Sequence, residues 1–210
     1  MSHWVAALAP AALGLVCAGA GGIARADARH YALDPAASRV TIHVGKAGVL
    51  SIAGHEHEVV AGHPRGTATA DAGRGALSSI DLTFDTGALR VTGKGEPLED
   101  VPKVQQTMLG PECLDAARFP TIRFVSSGAV AGRPVGASYD LVVEGQLTLH
   151  GVTRPIKVPV RVDFAAGGFT ATGTTELRQT DFGIAPISKA GVVKVKNELR
   201  LDWRLVAHPQ

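Results

Sequence analysis

Histidine and glutamate crowd one short stretch of this chain, Gly54-His55-Glu56-His57-Glu58, and His63 follows six residues after His57. Imidazoles beside carboxylates can ligate a transition metal or move a proton near neutral pH. His55 and His57 stand two apart, so in an extended strand both rings leave one face and can share a zinc or copper ion. A closed zinc site takes about four ligands and a catalytic one about three, so further donors must come from His63, His43 or a carboxylate such as Glu58. The spacing differs from that of a zinc peptidase, whose two histidines are separated by a helical turn. The same residues also fit a polar loop with solvated or mutually hydrogen-bonded rings, and an acid–base pair.

Other chemistry finds little support. The chain has no Gly-x-Ser-x-Gly elbow, no Walker-type phosphate loop and no dinucleotide fingerprint, and it reads as a non-enzyme with no catalytic residues. His150 falls in a turn, where its ring can hydrogen-bond nearby backbone. Cys113 reads as a small buried hydrophobe. No cysteine pair of the haem-attachment type occurs.

These residues must be positioned by strands. From residue 139 to 149, Leu141, Val143, Leu147 and Leu149 share one parity while Val142, Glu144, Gln146 and Thr148 take the other. After His150 and Gly151 the alternation resumes with Ile156, Val158, Val160 and Val162, which predicts an antiparallel partner. Similar segments at 38–44, 59–69, 78–85, 121–130, 169–177 and 192–206 complete a barrel-sized set. A helical excursion is expected over 102–108 and 111–114, with Asp100 as its cap. The sequence therefore predicts an all-β antiparallel barrel of about eight strands with one helical interruption. Ala171, Gly173 and Thr175 share the parity of Phe169, and small inward residues either admit close neighbours or leave room. A tunnel and a fully packed core are both consistent with that pattern.

Lysine plus arginine number 21 against 19 acidic residues, a balance that argues against a nucleic-acid partner. Residues 5–20 are almost wholly apolar and Ala24-Arg25-Ala26 offers small residues for cleavage, so residues 1–26 read as an export signal and 27–210 as the single domain. An uncleaved anchor is one alternative, since no Lys or Arg precedes the apolar run; Cys17 raises lipidation as another, although Gly14-Leu15-Val16 before it match a lipoprotein signal poorly.

Four segments in order resemble the YceI-like family: Tyr31-Ala32-Leu33-Asp34-Pro35 with Ser38; Phe119-Pro120-Thr121-Ile122-Arg123-Phe124; the run from Gly145 through His150-Gly151-Val152-Thr153; and Arg178-Gln179-Thr180-Asp181-Phe182-Gly183-Ile184. The resemblance covers roughly residues 30–207, and the Gly-His-Glu-His segment departs from the commoner pattern. It implies a lipocalin-like barrel in the periplasm that holds a polyisoprenoid or similar amphiphilic lipid, such as a quinone or polyprenyl chain, and requires no cofactor. Lining candidates, chosen by parity and by nearness to these segments, are Phe84, Phe124, Leu147 and Val160, together with Phe169, Phe182, Ile184 and Leu199. Transient contact with the membrane or with membrane redox proteins, and a homodimer, are further expectations.

Overall fold

The computed structural model describes residues 28–47, 56–189 and 193–210. The export signal expected over residues 1–26, and the metal candidate His55, lie outside them. The alternation read between residues 139 and 162 is realised as a hairpin of β10 (Ser138–Leu149) and β11 (Val152–Ala165), in register from Tyr139 opposite Val162 to Leu149 opposite Val152. Leu141, Val143, Leu147 and Leu149 are buried while Val142 and Glu144 face out. His150 (φ 51°) and Gly151 (φ 73°) form the two-residue turn, the positive-φ pair that matches strand twist.

Eight antiparallel staves close on themselves. Two of them are broken. β1 (Arg29–Leu33) and β2 (Arg39–Ala47) lie end to end along β14 (Val193–Pro209), with Leu33 opposite Ala207 and Arg39 opposite Arg204. The break is an Asx turn: Asp34 Oδ1 accepts the amides of Ala36 and Ala37 at 2.9 and 3.0 Å. Ser38 Oγ then accepts the Val206 amide at 2.9 Å and ties the turn to β14. Likewise β3 (His57–Gly62) runs along β2 and β4 (Arg65–Asp71) continues along β1. Their break is at His63, whose φ of 54° is held before Pro64. The segment expected at 59–69 is thus one stave with a corner in it.

From β4 the ring proceeds through β5 (Ala76–Asp85), β7 (Thr121–Ser126), β10, β11 and β12 (Gly168–Arg178) to β14. The short strands β8 (Val130–Ala131), β9 (Arg133–Val135) and β13 (Ser188–Lys189) attach to β5, β10 and β14. Among the described residues, the free edge of β3 pairs only with β6 (Arg90–Val91), through two residue pairs. Helix α1 (Val101–Leu109) follows it. Gln105 fastens that helix, accepting the Val91 amide at 2.8 Å and donating to Leu89 O at 2.9 Å. Asp100 makes no side-chain cap bond, contrary to expectation, and Pro102 in the first turn starts the helix instead. Residues 111–114 are turns rather than helix.

The interior divides into two halves. One is filled by aromatic rings meeting edge to face: Tyr31 with Phe169 at 5.1 Å, Phe169 with Phe164 at 5.7 Å and Phe164 with Tyr139 at 6.0 Å. Next along the axis come two glycines with rings laid over them. A Cβ on Gly145 would lie 2.4 Å from Phe124, and one on Gly173 would lie 2.4 Å from both the Trp203 ring and Pro159 O. Beyond this floor the barrel is hollow.

Candidate ligand-binding site

The hollow half encloses a cavity of about 510 Å³. Its wall is aliphatic for a physical reason: the strands that bound it present Val, Ile and Leu on their inward parity, with Ile42 and Val44 on β2, Leu147 and Leu149 on β10, and Leu199 and Leu201 on β14. The segment after β12 closes one side. Gln179 is buried and donates to Lys196 O at 2.7 Å, Asn197 clasps Thr180 through two hydrogen bonds, and Gly183 (φ 73°) turns the chain so that Ile184 reaches the wall. Asp100 and Lys103 are exposed and also border the cavity, so it reaches solvent beside α1.

Of the residues read as lining from the sequence, Phe84, Leu147, Ile184 and Leu199 border this cavity. Phe124, Val160, Phe169 and Phe182 do not border it, and all four are buried elsewhere. Phe124 belongs to the floor, Phe169 to the aromatic fill, and Val160 pairs with Leu141 lower on the hairpin. Phe182 borders a separate outer groove with Arg154, Arg178 and Glu198. The small residues of β12 likewise serve close approach: Gly173 admits Trp203, whose Nε1 lies 3.4 Å from Thr175 Oγ1.

The histidines separate. His57 has the inward parity of β3 and borders the cavity. Its Nδ1 lies 3.0 Å from Glu96 Oε2. His63 sits at the other end of the strand, about 20 Å away at the usual rise per residue, too far to share an ion. His43 and Glu58 are paired with each other across β2 and β3 on the opposite parity. There His43 Nε2 meets Asp202 at 3.0 Å and Glu58 meets Lys94 at 3.0 Å, and the Lys94 hydrogen bond holds the Glu58 carboxyl below its ordinary range. Among the described residues no three His, Cys, Asp or Glu side chains gather closely enough to hold a metal.

Two further residues frame the site. Glu96, which sequence reasoning missed, comes from a loop where Gly93 (φ 78°) and Gly95 (φ 85°) adopt the left-handed conformation, and its side chain is 0% exposed. Cys113 also borders the cavity, and burial pushes its thiol up to about 11. His150 keeps the turn role read for it, with Nδ1 3.3 Å from Phe182 O and its ring 4.5 Å from that of Phe119.

Residues 31–207 match the model of the YceI-like domain. This chain belongs to the YceI-like family. A UPF0312 protein of Pseudomonas savastanoi pv. phaseolicola is 31% identical over 125 residues, 57% of this chain and 59% of that relative. One from Shewanella denitrificans is 38% identical over 77 residues, 34% of this chain and 38% of its own length. These alignments thus span less than two thirds of the curated relatives. The YceI-like barrel recurs in BcnA of Burkholderia cenocepacia, at TM-score 0.63 and 20% identity over 83% of this chain and 98% of BcnA. It recurs also in a polyisoprenoid-binding domain of Saccharophagus degradans implicated in plant cell wall breakdown, at 0.62 and 14% over 86% and 98%. Three of the four segments that carried the resemblance sit at junctions of the barrel: the Asx turn at Asp34, the β10–β11 turn and the Gln179–Gly183 closure.

Proposed function

We propose that this chain is an exported periplasmic carrier that holds the tail of an isoprenoid-type lipid, a quinone or polyprenyl chain, in the hollow half of the barrel. The observation that carries the reading is the cavity of about 510 Å³ with an aliphatic wall and an exit beside α1. Family membership and the polyisoprenoid-binding neighbour support it. A tail without hydrogen-bonding groups needs a dry continuous lining, and each Å² it buries contributes about 25 cal/mol before the costs of association. Burial alone suffices for this role, which needs neither catalytic group nor cofactor.

Organic extraction of the full chain purified from native cells, followed by mass spectrometry, is expected to release a long-chain isoprenoid in near-stoichiometric amount. Leu199→Glu places a carboxylate on the wall and is expected to abolish retention while circular dichroism stays unchanged. Lipid-free wild-type extracts, or full retention by the variant, would count decisively against the carrier.

A further inference from the structure

The cavity wall is aliphatic except at a few points, and one of these is a built dyad. His57 Nδ1 is 3.0 Å from Glu96 Oε2, the glutamate side chain is 0% exposed and the histidine 20%. Among the described residues, the buried Glu96 Oε1 has no hydrogen-bond partner. A carboxylate kept dry with an oxygen unpaired costs stability, and such groups call for an explanation beyond packing. Of the other polar side chains here, Gln179 is committed to Lys196 O, Asp100 and Lys103 are exposed at the exit, and Lys46 and Thr107 border the cavity half-buried, so the dyad is singled out by the dry carboxylate behind the ring.

We propose that this dyad is the head-group site of the cavity: His57 Nε2 binds a hydroxyl at the polar end of the isoprenoid, and Glu96 is the positioning residue that sets the ring. This rests on the carrier reading and narrows it to hydroxyl head groups, a polyprenol or a quinol rather than the oxidised quinone. With Glu96 ionised, its carboxylate can only accept, and Nδ1 is then the donor of the 3.0 Å contact. In the neutral ring that leaves Nε2 as an acceptor. An acceptor at the polar end of a dry cavity favours an alcohol or phenol, which offers an O–H, over an ether or carbonyl, which offers none. The pairing resembles the carboxylate–histidine arrangements that fix a tautomer elsewhere.

The test is competition between two ligands of equal tail, farnesol and farnesyl methyl ether, offered together to lipid-free protein, with the bound ratio read by gas chromatography. Wild type is expected to take the alcohol about tenfold over the ether, a difference of about 1.4 kcal/mol. His57→Leu is expected to bring the ratio near one. Glu96→Gln is expected to reduce the preference and to change the His57 tautomer seen in long-range ¹H–¹⁵N spectra, which a purely structural role would leave alone. If wild type binds both ligands equally, the carrier reading survives and the head-group site is refuted, an outcome that needs no variant to fold. If it binds neither, both fall. A preference that persists in His57→Leu assigns the head group to another residue and overturns the proposal.

Discussion

The two halves of the barrel are made from the same strands with the same inward alternation, yet one is filled and the other is not. In the filled half, Tyr31, Phe169, Phe164 and Tyr139 interlock edge to face. In the hollow half, branched and unbranched aliphatics coat a wall without meeting across the axis, leaving about 510 Å³. The contrast teaches that parity decides which face is inward, whereas ring size and the glycines beneath the rings decide whether that face meets anything. Gly145 under Phe124 and Gly173 under Trp203 mark where one regime gives way to the other.

Truncation offers the sharpest break of that comparison. Phe169→Ala removes a ring with aromatic neighbours on two sides and is expected to cost about 3–5 kcal/mol in urea unfolding. Phe84→Ala, on the cavity wall, is expected to cost less than half as much in lipid-free protein, because its open side has no contacts to lose. Equal costs would erase the distinction between the halves. Gly173→Ala tests the floor: its Cβ would meet Pro159 O and Trp203 at 2.4 Å, so overpacking of about 1–3 kcal/mol is expected in the same assay.

Cys113 reports on the hollow half from inside. With its thiol pushed up to about 11, against an ordinary 9.0, it carries about a hundredfold less thiolate near neutrality, and maleimide labelling is expected to be slow to the same degree. An apolar occupant should slow it further, while the filled half offers no such response.

The smallest effect lies on the outer face, where both halves are treated alike. Arg123 holds the Asp81 carboxyl below its ordinary 3.8 by hydrogen bond and charge, and Arg161 does the same for Asp140. A carboxyl whose folded value is depressed stabilises the fold above its unfolded value and loses that contribution as pH falls through the folded one. Melting temperature is therefore expected to be flat above about pH 5 and to decline slightly below about pH 4. Asp81→Asn should flatten that decline a little.

Much of the barrel was legible because alternation is written directly in β10, β11 and β14. Strand β1 was not, since five residues ending at an Asx turn give too short a period to read. Among site residues, Leu147 and Leu199 could be read as inward but so could Phe124 and Phe169; parity gives the face and says nothing of height along the axis. Glu96 left little signal, because it lies in a loop and meets His57 across 39 residues of sequence. Only the glycines at 93 and 95 hinted that the backbone there turns sharply.

The interlocked rings have one more consequence. Cohesion concentrated at one end, remote from the open space, makes the scaffold self-sufficient: the walls stand without anything inside the hollow to prop them apart.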